Sequence, residues 1–316
     1  MKIVFFGTPE FAVASLDRLV NDGYDIAAVV TMPDKIAGRG HKLLKSDVKV
    51  YAEEHGLRVL QPEKLKSPDF VDTLREINAD LFIVIAFRML PEVVWQMPRL
   101  GTFNLHGSLL PKYRGAAPIN RAIMNGETET GITTFFLQHA IDTGDMIEQR
   151  STPITDEDNA GTIHDRLMLM GADMVESTVR AIADGTLTTR PQPDGEFVAA
   201  PKIFKEDCAI DWNRPALEIH NQVRGLSPYP AAFASVIDAN DKEFTAKIYE
   251  TRLTGRAVAD AEPGTVNIDK HRLEIATADE WLEIVALQPA GKKRMDTSAF
   301  LLGYHPVEFR KPEVSK

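Results

Sequence analysis

The sequence predicts an α/β fold, a doubly wound and mostly parallel sheet followed by a small C-terminal β-barrel. Three observations predict it. Short apolar runs alternate with helix-length segments up to His106. A cluster of prolines and a glycine interrupts the chain near residues 191–201. Beyond that cluster, apolar and polar residues alternate in short runs broken by turn residues.

KIVFF (residues 2–6) is apolar throughout and is stopped by Gly7, the pattern of a strand covered on both faces. Phe11, Ala12, Ser15, Leu16, Leu19 and Val20 recur at helical spacing, and that helix ends near Gly23. IAAVVT (residues 26–31) is a second strand. A long loop follows, then a helix around residues 47–55 with Ser46 placed to cap it. LFIVIAF (residues 81–87) and GTFNLH (residues 101–106) are further strands. Ligands of such sheets bind beyond the carboxyl ends of the strands, so the loops after Phe6, Thr31, Phe87 and Leu105 share the edge where chemistry is expected. Helical periodicity returns from about 162 to 184. Pro191, Pro193, Gly195 and Pro201 then mark a linker, which divides the chain into a domain over 1–188, a connector over 189–205 and a second domain over 206–316. In the second domain a helix around 215–224 precedes the strand-like runs AKIYETRL, TVNI, RLEIAT and WLEIVAL.

The 316 residues suit two domains, and 44% hydrophobic with 26% charged residues is a composition that buries a core unaided. Cys208 is the only cysteine, which excludes a disulfide framework and a thiolate cluster and fits a reducing compartment. The opening apolar run is shorter than a signal-peptide core, and no stretch approaches the roughly 18–20 apolar residues of a membrane span. A cytoplasmic protein without a membrane partner is expected, monomeric by default. A net charge of −10 argues against coating nucleic acid by bulk attraction while leaving room for local basic patches. Nicotinamide chemistry is disfavoured. Gly7-Thr8-Pro9-Glu10-Phe11-Ala12 has one glycine where the dinucleotide fingerprint needs three, and Pro9 removes an amide donor that a phosphate would use.

GTFNLH runs directly into GSLLPKYRGAAPINRAI. Asn104 and His106 are two apart and share one side of a strand at its carboxyl end, either as catalytic groups or as buried polar residues tied to backbone. LQHAIDTGDMI puts Asp142 in a turn between two strand-like runs, and many Asp-Thr-Gly turns are purely structural.

Taken together, N-x-H-x-S-L-L-P and the distant D-T-G-D strongly resemble the folate-dependent formyltransferase family, whose members act on glycinamide ribonucleotide, on methionyl initiator tRNA or on sugar nucleotides. The resemblance implies a Rossmann-like transferase domain with an OB-like barrel appended. It implies 10-formyltetrahydrofolate as co-substrate, no metal, and Asn104, His106 and Asp142 as the catalytic trio. The residue types suit that chemistry. An amide donor such as Asn104 holds a developing oxyanion. Imidazole is the side chain best suited to exchange protons at working pH, so His106 acts as base, as oxyanion stabiliser or as both. Asp142 orients the ring. The pterin site is implied at the backbone near 85–91 and 109–111, with Phe87, Arg88, Leu90, Ser108, Leu109, Leu110 and Pro111 as its residues. Where the family carries Ala-Tyr-Gly, this chain has Ala86-Phe87-Arg88. Arg88 therefore stands either exposed at the pocket rim or facing the folate's glutamate tail.

Three features choose the amine. The loop TMPDKIAGRGHKLLKSDVK is rich in bases and resembles the tRNA-contacting loop of the family members that act on methionyl initiator tRNA, with Arg39 and Lys42 implied at phosphates or bases. The extra β domain exceeds what a glycinamide ribonucleotide enzyme needs. Small barrels bind nucleic acid, and they also serve as dimerisation or lid domains. Lys292, Lys293 and Arg294 in LQPAGKKRM resemble a C-terminal basic motif facing tRNA, although a basic triplet by itself is commonly a solvated turn. Methionyl initiator tRNA is thus the expected acceptor. The alternatives are a nucleotide-linked amino sugar, or a non-catalytic RNA-binding module on the same fold.

Overall fold

In chain order the first part reads β1 (Lys2–Gly7), α1 (Glu10–Asn21), β2 (Asp25–Val30), β3 (Lys35–Ala37), β4 (Lys42–Leu44), α2 (Asp47–Glu54), β5 (Val59–Leu60), α3 (Pro68–Ile77), β6 (Leu81–Ile85), α4 (Glu92–Trp95), β7 (Thr102–His106), β8 (Arg114–Gly115), α5 (Pro118–Met124), β9 (Glu129–Phe136), β10 (Met146–Pro153) and α6 (Ala160–Asp184). The computed structural model describes residues 1–37, 42–195 and 197–314. It comprises two units, one of Met1–Gly115, Gly131–Thr152 and His164–Ala199, the other of Ala116–Thr130, Pro153–Ile163 and Ala200–Lys316.

The first unit is a Rossmann-like α/β domain. Its sheet runs β10-β9-β7-β6-β1-β2-β5. β1, β2, β5, β6 and β7 are mutually parallel, so the carboxyl ends of β1, β2, β6 and β7 lie on one edge as expected. β9 joins β7 antiparallel, which makes the sheet mixed. α1 buries Phe11, Ala12, Ser15, Leu16 and Leu19. It approaches the end of β1 so closely that a Cβ on Gly7 would lie 2.7 Å from the Ala12 Cβ. Ser46 caps α2, its hydroxyl accepting the Lys49 N–H at 3.1 Å. The long loop after β2 carries the antiparallel pair β3–β4. The sequence reading places no helix at α3, although Phe70, Val71, Leu74 and Ile77 form its buried stripe. Pro68 looks like a breaker there but occupies the first turn, where its missing N–H has no intrahelical partner to lose.

The second unit continues with β11 (Ala199–Ala200), shared at the unit boundary, then α7 (Ala216–Leu226), β12 (Ala232–Asp238), β13 (Glu243–Ala257), β14 (Val266–Asp269), β15 (Arg272–Ala276), β16 (Glu280–Pro289), β17 (Met295–Asp296), α8 (Thr297–Leu301) and β18 (Pro306–Arg310). The strand order β14-β15-β16-β13-β12-β18 is nearly closed into a barrel by the Thr265–Glu308 bridge and by the Phe309 N–H donating to the Gly264 carbonyl at 2.9 Å. That closure needs glycine at 264, where a Cβ would meet the Phe309 carbonyl oxygen at 2.2 Å. Ile219, Val223 and Leu226 of α7 join Trp212, Phe300 and Phe309 in the barrel core.

His220 on α7 carries a pH dependence. Its Nδ1 lies 2.9 Å from the Thr251 hydroxyl. Burial, and then the nearby Arg224 guanidinium, push its imidazole down to about 4 against the opposing pull of Asp156. An unfolded chain holds histidine near about 6.5, so the unfolded state binds the extra proton between those values. Stability is complete above that upper value and falls as pH drops toward 4, by about 2 kcal/mol at about pH 4.5. Urea unfolding at neutral and acid pH is expected to show a smaller acid loss in His220→Gln than in the native chain. Equal losses would remove this residue from the account.

Candidate active site

β7 sets Asn104 opposite Val84 of β6 and Phe135 of β9, and sets His106 opposite Thr133 of β9. Both side chains leave the same face of the strand. Asn104 is half-buried and His106 is only 7% exposed. The His106 Nε2 lies 2.9 Å from the Tyr113 carbonyl oxygen. A carbonyl only accepts, so Nε2 carries its hydrogen, and in the neutral ring the lone pair sits on Nδ1. Nδ1 faces the Asp142 Oδ2 at 3.9 Å. That is beyond a direct hydrogen bond.

The turn that delivers Asp142 is tightly specified. Asp142 takes a left-handed φ of 54°. The Thr143 hydroxyl donates to the Ala140 carbonyl at 3.0 Å. At Gly144 a Cβ would fall 1.5 Å from the Phe136 carbonyl oxygen, so no other residue fits the present path. The Asp142 Oδ2 accepts the Gly115 N–H at 3.0 Å. The carbonyls of Asp142 and Gly144 accept the Gln192 side-chain amide at 2.8 and 2.9 Å. The Gln192 Oε1 in turn accepts Arg114 Nη2 at 2.6 Å and Nε at 3.2 Å. Sequence reasoning passed over Tyr113, Arg114, Gly115 and Gln192. Two of them act through backbone atoms, and Gln192 lies in a proline-rich stretch with no periodicity to single it out.

The loop expected to wall a folate is held from beneath. The Ser108 hydroxyl donates to the Lys112 carbonyl and the Ser108 carbonyl accepts the Thr133 hydroxyl, both at 2.7 Å. The Thr133 hydroxyl also accepts the Leu110 N–H at 3.1 Å and the Gln149 amide at 3.0 Å, while that amide reaches the Leu110 carbonyl at 2.7 Å. Ser108, Leu110 and Leu90 are buried, and Leu109 and Pro111 are half-buried. Phe87 stands edge-on to Phe6 at 5.7 Å. Arg88 is half-buried. Its guanidinium lies 5.4 Å from the Phe87 ring centroid and donates to the carbonyls of Pro62 and Glu63 at 2.8 and 3.0 Å.

Of the basic residues singled out for an RNA partner, Arg39 lies outside the described residues, and Lys42 opens β4. Two further bases of the same stretch, Lys45 ahead of α2 and Lys49 within it, are engaged. Lys49 pairs with Asp34 at 2.6 Å and Lys45 with Glu53 at 2.6 Å. Lys49 and Gln61 hold the Asp34 carboxyl below its usual range by hydrogen bonding. Lys292, Lys293 and Arg294 are exposed in the turn between β16 and β17. Arg294 lies over the Tyr249 ring at 4.9 Å and 3.6 Å from the Glu250 carboxylate.

Residues 1–179 match the family described as Formyl transferase, and residues 202–305 match Formyl transferase, C-terminal domain. The methionyl-tRNA formyltransferase of Bacteroides fragilis is 52% identical over 313 residues, spanning 98% of this chain and 96% of that protein. The methionyl-tRNA formyltransferase of Bacteroides thetaiotaomicron is 53% identical over 309 residues, spanning 96% of both chains. Among solved structures, the N-formyltransferase from Helicobacter canadensis, in complex with folinic acid and dTDP-3-aminofucose, superposes with a TM-score of 0.65 over 93% of this chain and 100% of that one. Its sequence identity of 20% is a likeness of fold.

Proposed function

This chain belongs to the formyl transferase family, and from that premise we propose that it moves the formyl group of 10-formyltetrahydrofolate onto the amino group of methionyl initiator tRNA, in support of translation initiation. One observation carries the choice of acceptor: identity of 52–53% with relatives named for methionyl-tRNA formylation, over nearly the whole of both chains. The likeness to a sugar-modifying enzyme at 20% identity concerns the fold and leaves the acceptor unaffected. The cytoplasm is the assigned place of work. Among the described residues no helix is long and apolar enough to cross a membrane. Transfer is assigned to residues 1–188 and the grip on tRNA to residues 206–316, with 189–205 between them.

The co-substrate supplies the formyl carbon. In the transfer the acceptor nitrogen bonds to that carbon, the bond from the carbon to the folate nitrogen breaks, the amine gives up one proton and the folate nitrogen gains one. His106 is the proton carrier. With its Nε2 hydrogen committed to Tyr113, the nitrogen left for the amine proton is Nδ1, and the same nitrogen returns the proton to the leaving group. Of the two roles open to this ring, the geometry therefore favours the base. Asp142, 3.9 Å from Nδ1, stabilises the imidazolium that forms and keeps the ring oriented. The Asn104 amide donates to the oxygen on which charge develops. Phe87, Arg88, Leu90, Ser108, Leu109, Leu110 and Pro111 are assigned to the folate, with the buried Leu90, Ser108 and Leu110 acting through the backbone they position. The fit rests on that backbone. Ala86, exposed and at a φ of 47°, turns the chain directly after β6, and the Leu109–Pro111 stretch is pinned from below by Thr133 and Gln149.

Arg39, Lys42, Lys292, Lys293 and Arg294 are assigned to the tRNA. Reversing Lys292 and Lys293 together to glutamate is expected to raise the KM for tRNA about tenfold or more and to flatten its dependence on log salt by about one unit per lost phosphate contact. The KM for the folate should stay unchanged. Identical salt slopes in variant and native protein would withdraw the basic turn from the interface. The direct test supplies radiolabelled 10-formyltetrahydrofolate with methionyl initiator tRNA, and an amino-sugar nucleotide in parallel. Labelling of the tRNA alone is expected, and labelling of the sugar alone would overturn the acceptor.

A further inference from the structure

The stretch 189–205 reads in the sequence as a connector, yet its first residues make contacts of another kind. Arg190 and Met146 exchange backbone hydrogen bonds of 2.8 and 2.9 Å. The Arg190 Nη2 donates to the Gln149 Oε1 at 2.7 Å, and this is the glutamine whose amide holds the Leu110 carbonyl and the Thr133 hydroxyl. Gln192 binds both turn carbonyls around Asp142 and accepts from Arg114. The Phe197 ring lies 5.8 Å from the Arg114 guanidinium, and the Val198 carbonyl accepts the Tyr113 N–H at 2.7 Å. Tyr113 and Arg114 are thus held directly by this segment. Tyr113 presents its carbonyl to His106, and Gly115, next after Arg114, presents its amide to the Asp142 carboxylate.

We infer that Arg190 and Gln192, with Phe197 and Val198, form a positioning strap of the active site, and that Gln192 is the residue that sets the Asp142 carboxylate against His106. The inference rests on the reading above, in which Asp142 and His106 carry the transfer. A primary amide suits the place. Its nitrogen has two hydrogens for two carbonyls that point the same way, and its oxygen meets a guanidinium. A carboxylate there would keep the Arg114 contact but present an acceptor to two acceptors. An aliphatic side chain would leave both carbonyls and the guanidinium without these partners. Asp142, a non-glycine residue at a φ of 54°, needs its surroundings to fix that conformation, and the amide clasp across positions 142 and 144 does so.

The test compares kcat, the KM for both substrates and the thermal midpoint in Gln192→Leu, Gln192→Glu, Asp142→Asn and the double variant Asp142→Asn with Gln192→Leu. Both Gln192 substitutions are expected to lower kcat about 10- to 100-fold with both KM values within about twofold, since a small misplacement of a reacting group has effects of that order. Gln192→Glu, which keeps its contact to Arg114, should lose less of the thermal midpoint than Gln192→Leu, and turnover measured well below both midpoints separates its loss of activity from a loss of fold. In the Asp142→Asn background, Gln192→Leu should lower kcat by less than about twofold, because a residue that acts through another has nothing left to position. Losses that multiply in the double variant, or Gln192 variants of native turnover beside an impaired Asp142→Asn, overturn the strap alone. A fully active Asp142→Asn overturns the catalytic reading and the strap with it.

Discussion

Replacing His106 by alanine is expected to lower kcat by about 10²- to 10⁴-fold, the range that a positioned acid–base group supplies. Asn104→Ala is expected to lower it by about 10²- to 10³-fold, the range of a single donor to a developing oxyanion. The two losses should not multiply in the double variant if both groups serve one transition state. His106 is buried, and its removal takes away its hydrogen bond to the Tyr113 carbonyl, at a cost of about 1 kcal/mol in stability. Thermal midpoints therefore have to accompany the kinetics. Added imidazole separates chemistry from structure. It should restore part of the turnover of His106→Ala by carrying the proton, and should do nothing for Asn104→Ala, which has lost a donor rather than a base. A His106→Ala protein within tenfold of native kcat, folded and without added imidazole, would move the proton transfer to another group.

Local pattern made much of the first unit legible. β1, β2 and β6 are built on continuous apolar runs, β7 is a short run whose polar Asn104 and His106 share one face, α1 has its buried stripe, and Ser46 sits one residue ahead of a helix. The elements that escaped notice lack such a signal or carry a misleading one. α3 begins on a proline, and β3–β4 is a pair of three-residue strands, too short for their alternation to stand out inside a long base-rich loop. The site divides in the same way. Asn104 and His106 are adjacent on one strand face, so spacing alone associates them. Nothing in spacing associates them with Asp142, and it was resemblance that joined the three. The groups that hold them, the Tyr113 carbonyl, the Gly115 amide and the Gln192 side chain, act through backbone atoms or across 50 and 78 residues of chain, where no periodicity reaches. Gln192 in particular lies among prolines that read as an interruption. The tertiary fold turns that interruption into a partner of the turn at 142.

Gly144→Ala is expected to lower kcat about a hundredfold and to destabilise the chain by about 2 kcal/mol or more. The added methyl group would lie 1.5 Å from the Phe136 carbonyl oxygen. That carbonyl has little room to move. The Phe136 N–H is bonded to the Asp145 carbonyl at 3.0 Å, and Phe136 is paired to Phe103 on β7. The turn must shift instead, and Asp142, two residues earlier, shifts with it away from the His106 Nδ1. The Leu109–Pro111 loop is fastened separately by Thr133 and Gln149, so equilibrium binding of tetrahydrofolate should stay near native while turnover falls. Gly291→Ala is the comparison. Its φ of 74° is strained for alanine, but nothing lies within 4 Å of the new Cβ, so it carries the backbone penalty without the collision. If Gly144→Ala turned over like Gly291→Ala, the placement of Asp142 would not depend on the close approach of this turn to β9. The carboxylate would then act over a range of positions, as a distant charge does, rather than as an orienting partner held at one distance from the ring.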